Sequence, residues 1–197
     1  MPTKAQALFR KMHNCTLCTG LELGPKPLFK LSPDVKILIA GQAPGRITHK
    51  KGRPFDDPSG DRLRQWLGLD RQTFYHDDRI GIFPMALCFP GSTPAGDKPP
   101  RTECAEAWRT DVMETLTQVQ LTLVLGRYAI AWHLPALKKL SVTDAVKQAA
   151  QAPDGTFVLP HPSPRNNRWL AKNDWFEQAV IPRIQAKVTQ ILAPDHT

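Results

Sequence analysis

No apolar run in this chain reaches the roughly 20 residues that a membrane-spanning helix needs. The N-terminus, Met1-Pro2-Thr3-Lys4-Ala5, lacks the apolar stretch and small-residue cleavage site of a secretory leader. A membrane partner is therefore not expected, and the expected compartment is the cytoplasm, where disulfides are rare. Internal repeats and low-complexity segments are missing too, which excludes solenoids and arrays. There is no glycine-rich phosphate-binding motif and no metal-catalytic motif. Carboxylates are sparse where strands are expected to end, which argues against a two-metal site. Cysteine is scarce: four residues, which in a reducing compartment call for an explanation other than disulfides.

What is present is basic. The net charge is +8 with a pI near 9.5, a balance that favours polyanionic partners through counterion release. The 197 residues fit one domain, 1–197, large enough to bury a substantial core. Nineteen prolines gather in loops around Pro25 and Pro27, from Pro90 to Pro100, and from Pro160 to Pro164.

The apolar pattern alternates short runs with helical stretches. Thr3 to His13 reads as a helix capped by Thr3, and Val35 to Ala40 as a buried strand. A basic loop follows, then a helix from Ser59 to Leu67 and a helical turn from Arg71 to His76. Arg79 to Phe83 is a second strand, and residues 84–101 form a loop. Thr102 to Val119 is a helix with Thr102 as its cap, Leu121 to Leu125 a strand, and Tyr128 to Leu134 and Val142 to Gln151 are helices. Thr156 to Leu159 is the last strand, and Asp174 to Leu192 a closing helix interrupted at Pro182. Strands alternating with helices predict an α/β fold with a parallel sheet covered on both faces. Right-handed crossovers then bring Gly41-Gln42-Ala43-Pro44-Gly45 and His161-Pro162-Ser163 to one sheet edge, where open α/β sheets place their chemistry.

The cysteines fall as Cys15-x2-Cys18 and Cys88-x15-Cys104. Soft thiolates in such a set suit an iron–sulfur cluster or zinc, and spacing alone leaves both open. The plain alternative is four small buried side chains.

In this order the residues resemble the uracil-DNA glycosylase superfamily, and most closely its iron–sulfur branch, family 4. The family's Gly-Glu-Ala-Pro-Gly is matched by Gly41-Gln42-Ala43-Pro44-Gly45, its Gly-x-Pro-Phe by Gly52-Arg53-Pro54-Phe55, and its His-Pro-Ser by His161-Pro162-Ser163. The small residue and glycine of the following helix correspond to Ser59-Gly60, and the matches span residues 15–168. The resemblance implies a three-layer α/β/α sandwich around a four-stranded parallel sheet. It also implies a monofunctional DNA repair enzyme, a hydrolase that flips uracil or a related deaminated base and cuts its N-glycosidic bond. DNA, single- or double-stranded and carrying a damaged base, becomes the expected partner of a monomeric protein. Cys15, Cys18, Cys88 and Cys104 become ligands of a 4Fe–4S cluster, with zinc as the alternative. Phe55 becomes the stacking platform, with Gly41, Ala43 and Met85 around the base. His161 becomes the donor to charge building on the pyrimidine oxygen. Ser163, Arg165 and Arg168 form a DNA-facing loop, joined by Arg46 and Lys51.

Two positions depart from the family pattern. Gln42 replaces the motif carboxylate; it cannot act as a base, though its carbonyl oxygen can position water. Asp56 and Asp57 follow Phe55, and either substitutes for the missing acid or prepares the next helix N-terminus. Pro84 stands where the branch has a base-reading Asn, so another group reads the base or the substrate differs. These departures support an alternative: a glycosylase-fold DNA-binding module with little or no excision. No lysine occupies a motif position, so strand cleavage through a Schiff base is not expected.

Overall fold

The computed structural model describes residues 3–151 and 155–194; residues 1–2, 152–154 and 195–197 lie outside the described set. Strands β1 (Ile37–Ala40), β2 (Ile80–Ile82), β5 (Leu121–Leu125) and β6 (Thr156–Leu159) form one parallel sheet in the order β2-β1-β5-β6. The register pairs Ile37 with both Ile80 and Leu121, and Thr122 with Thr156. The strands are almost wholly apolar because both faces are covered. Ile37 and Ile39 pack on one side and Leu38 on the other, all fully buried. Each such side chain contributes about 1.5–3 kcal/mol by leaving water.

Helices α1 (Lys4–His13) and α5 (Thr102–Thr115) cover the Leu38 face. Helices α3 (Pro58–Leu67), α7 (Val142–Ala149) and α9 (Ile181–Leu192) cover the Ile37 face. The result is the expected three-layer α/β/α sandwich. Thr3 caps α1 in a reciprocal capping box with Gln6. Among the described residues, no helix is long and apolar enough to cross a membrane.

Several local expectations need correction. The basic stretch after the first motif is helix α2 (Arg46–Lys51), because the turn glycine Gly45 starts a helix that Gly52 ends. Helix α4 (Arg71–His76), by contrast, has the expected bounds and begins from Asp70, whose carboxylate caps it. Residues 84–101 hold a two-stranded hairpin, β3 (Ser92–Thr93) and β4 (Gly96–Asp97). Helix α5 is capped at Arg101 rather than Thr102, and it stops at Thr115 rather than running to Val119. Helix α6 (Gly126–His133) starts directly from β5. The proline-rich segment after β6 folds into a 3-10 turn, Pro164–Asn166, and then α8 (Asn167–Lys172). A π-turn, Phe176–Val180, precedes α9, so Pro182 lies in the first turn of that helix, where its missing N–H costs nothing, instead of interrupting a longer one.

Candidate active site

Strand order reverses at β1: β2 lies on one side of it and β5 on the other, all running parallel. Ligands of open α/β sheets bind outside the carboxyl ends of strands at such a switch point. A cavity of about 610 Å³ lies there, lined by the loop from Gly41 to Gly45 and by Phe55, Pro84, Asp97, Tyr128 and His161. The first and last motifs therefore meet, as the topology requires.

The backbone of the first motif is fixed by its neighbour strand. Met85 N–H donates to Gly41 O and Ala86 N–H to Gln42 O, each at 2.9 Å. The Pro84 carbonyl accepts from buried Arg109 Nη1 at 3.1 Å. Arg109 is itself stacked between the Phe83 and Trp132 rings, and burial pulls its pKa down to about 9, so it remains a cation at neutral pH. The Gln42 side chain lies over Gly126, where a Cβ would stand 2.2 Å from Nε2. Gly126 has φ +78 and is the one residue type that permits both the turn and this approach.

Phe55 has φ +56, a conformation a bulky residue adopts only when its surroundings impose it. Its carbonyl rests on Gly60 of α3 and accepts from Arg64 Nη1 at 3.3 Å, while Tyr75 Oη donates to the Pro54 carbonyl at 3.0 Å. So held, the Phe55 ring lies against Gly41, where an added Cβ would be 3.5 Å from Cζ.

His161 sits between two prolines. Its Nδ1 accepts the Ser163 N–H at 3.3 Å, which assigns the ring proton to Nε2. Burial lowers the pKa of His161, and the charges of Asp57 and Asp97 only partly oppose this. The imidazole is therefore neutral at pH 7, with Nε2–H as its donor. Arg62 clamps the same loop through the Ser163 carbonyl at 3.0 Å and Asn167 Oδ1 at 2.7 Å.

A sequence model of the Uracil DNA glycosylase superfamily matches residues 29–185. The chain belongs to this superfamily. Among solved structures, it is similar to a solution NMR structure from Methanosarcina acetivorans whose protein carries the provisional name uracil DNA glycosylase. The two share 20% identity over 79% of this chain and 94% of that one, with a TM-score of 0.47.

Within this superfamily fold, the remaining expected site residues separate into groups. Gln42, Ala43, Arg46, Asp57, Ser163 and Arg165 line the cavity with the residues above. Asp57 caps α3, with Oδ1 accepting the Gly60 N–H at 2.9 Å. Asp56 does not line the cavity; it is ion-paired with Lys51 at 3.2 Å and Arg71 at 2.8 Å, and Arg71 above all holds its pKa low. Met85 is buried in the core behind the motif loop. Arg168 is exposed on α8 and is not part of the lining. Arg46 pairs with Glu22 over the Phe89 ring. Asp97, Lys98 and Tyr128 line the cavity and were not singled out from the sequence. The signals for them were Gly126, two residues before Tyr128, and the Pro94-Ala95-Gly96 turn, which makes a hairpin of what reads as loop.

Cys15 and Cys18 follow α1, Cys88 lies between β2 and the hairpin, and Cys104 is in the first turn of α5. All four are free, and all but Cys15 are buried. Burial first, with charge on the other cysteines adding to it, raises Cys88 to about 11 and Cys104 to about 12. The four thiols thus lie within electrostatic reach of one another. Cys88 Sγ accepts the Lys26 N–H and Cys104 Sγ the Leu87 N–H, both at 3.3 Å, a pattern that supports thiolates. Among the described residues, no three Cys, His or carboxylate groups are close enough to enclose a single ion. Chemically, the donor set fits a thiolate-bound group.

Proposed function

We propose that this protein is a monofunctional DNA glycosylase that draws a flipped uracil, or a related deaminated base, into the cavity and hydrolyses its N-glycosidic bond. The observation that carries this reading is an aromatic face and a neutral imidazole donor lining one cavity at the sheet's switch point. Flipping costs a few kcal/mol of unstacking. Stacking on Phe55 returns about 1–3 kcal/mol. As the bond breaks, negative charge builds on the departing base. His161 Nε2–H, already oriented by the Ser163 N–H, meets that charge without reorganisation. One such preorganised donor is worth about 2.7–4 kcal/mol.

DNA is the partner, gripped at the rim by Arg46, Arg165 and Lys98. Cys15, Cys18, Cys88 and Cys104 hold a 4Fe–4S cluster, with zinc as the alternative. Its role is structural: it ties the exit of α1 to the hairpin loop and the start of α5, and it contributes no step at the cavity. Pro84 offers no donor to the base edge, so the preferred base is to be found by assay. Gln42 in the motif's carboxylate position favours a second reading, in which the protein holds damaged DNA without efficient excision.

The test is single-turnover excision of uracil, hypoxanthine and xanthine from single-stranded oligonucleotides, developed with alkali. The wild type releases at least one of these bases, and His161→Asn slows release by about 10²–10³-fold while still binding the oligonucleotide. Binding with no release of any base establishes the second reading.

A further inference from the structure

Gln42 leaves the first motif without an acid, and the cavity acquires one from a different element. Asp97, on β4, lines the cavity. Its Oδ1 accepts the Ser92 hydroxyl at 3.0 Å. Its Oδ2 has no hydrogen-bond partner among the described residues, and it lies 3.5 Å from where a Cβ on Gly45 would stand. Asp97 thus faces the first motif from above. Its charge also acts on the His161 imidazole, so carboxylate, imidazole and motif loop converge on one volume.

Each of the other two acids near the motif carries a structural duty. Asp56 lies outside the cavity between two cations. Asp57 is at the wall, with Oδ1 committed to the α3 N-terminus. The hairpin that carries Asp97 is anchored from both sides. Glu22 accepts the Ser92 N–H at 3.1 Å, and the Arg165 guanidinium packs on Gly96 so closely that a Cβ there would be 2.3 Å from Nη1.

We propose that Asp97 is the catalytic carboxylate of this cavity, the group that orients the hydrolytic water and takes its proton. The proposal rests on the glycosylase reading above. In the step, the water oxygen bonds to C1′ of the flipped nucleotide while one water proton passes to the Asp97 carboxylate. The C1′–N bond breaks, and its electron pair leaves with the base, whose growing charge accepts a hydrogen bond from His161 Nε2–H. The proton then passes from Asp97 to the base or to bulk water. Water is the only co-reactant. The carboxylate also faces the positive charge that develops on the sugar.

The charged groups around Asp97 are His161 and Asp57 at the cavity, Lys98 beside it, Arg165 from the loop after β6, and the Glu22–Arg46 pair behind Ser92. The experiment compares wild type, Asp97→Asn and Ser92→Ala. It measures single-turnover release of whichever of uracil, hypoxanthine or xanthine the wild type removes. Binding is measured on an oligonucleotide carrying 2′-fluoro-2′-deoxyuridine, which resists cleavage, and folding by melting temperature. Asp97→Asn is nearly isosteric and keeps an acceptor for Ser92. It is expected to lose at least about 100-fold in rate, with binding and melting close to wild type. Ser92→Ala removes the hydrogen bond that aims the carboxylate and is expected to slow release as well, by less than Asp97→Asn. An Asp97→Asn enzyme with wild-type rate overturns the role while leaving the glycosylase reading standing. A variant whose binding and melting fall with its rate makes Asp97 a hairpin residue and also overturns it. A wild type that releases no base overturns both.

Discussion

Gly60→Ala is expected to damage fold and site together. Gly60 is in the first turn of α3, where alanine would ordinarily be the better helix former by about 1 kcal/mol. Here an alanine Cβ would lie 1.7 Å from the Phe55 carbonyl oxygen, 2.6 Å from its carbon and 2.9 Å from the Phe55 Cβ. To reach even 3.0 Å, the carbonyl must retreat by about 1.3 Å. Retreat is opposed, because that carbonyl accepts from Arg64 and Phe55 is already at φ +56. Overpacking costs about 1–3 kcal/mol, and a Cβ this close to a backbone oxygen belongs at the upper end, which leaves a net loss of about 2 kcal/mol after the helix gain. For a chain of this length, each kcal/mol lowers the melting temperature by about 2–4 °C, so a fall of roughly 4–8 °C is expected. The Phe55 ring should leave Gly41, and base release should fall at least about tenfold, the equivalent of one lost stacking contact. Thermal melting and single-turnover release on the same preparations give both numbers. Gly41→Ala provides a contrast in stability alone, since its Cβ would meet Phe55 Cζ at an ordinary 3.5 Å. A Gly60→Ala protein that melts and releases base like wild type would refute the claim that α3 locks Phe55 in place.

Three further outcomes follow from the same structure. Phe55→Ala should weaken binding of a single-stranded oligonucleotide carrying the released base by roughly 5- to 150-fold, read by fluorescence anisotropy; unchanged affinity removes the ring from the platform role. Burial lowers His49, His161 and especially His133, the last to about 3 from an ordinary 6.5, so the unfolded chain binds more protons than the native one below pH 6.5. Stability should therefore fall as pH drops from 6.5 toward about 4.5, above the carboxylate range, and His133→Gln should flatten that slope; a melting temperature constant over this window contradicts it. Cys104→Ser should abolish any visible absorption of the purified protein and lower its melting temperature by about 10 °C or more, because binding of a thiolate-held group is coupled to folding. A colourless wild type carrying zinc would establish the alternative, and unchanged stability in the variant would remove the structural role.

Much of the architecture was legible because the strands are short, fully buried and separated by helical stretches. Ile37-Leu38-Ile39-Ala40 and Leu121 to Leu125 leave little else to fit. The meeting of the Gly41 loop with His161 followed from topology. The environment of each acid did not. Asp56 and Asp57 are adjacent in sequence, yet one is sealed between Lys51 and Arg71 and the other caps a helix at the cavity wall. That division depends on α4 supplying Arg71, a tertiary fact. Asp97 was hidden because the hairpin is only two residues long on each side, too short for a periodic signal. The cysteine spacing groups four thiols, but which backbone N–H groups support Cys88 and Cys104 depends on how Lys26 and Leu87 pack against them.

The measurement that tests the central claim most directly is the intact mass of a single-stranded oligonucleotide with one uracil, taken before and after incubation with the protein and without alkali. Base flipping and hydrolysis in the cavity predict an unbroken strand in which uracil is replaced by a hydroxyl group. An unchanged mass on uracil, hypoxanthine and xanthine alike would contradict the glycosylase reading. A strand broken at the damaged site would contradict monofunctional hydrolysis and direct attention to the amine of Lys98.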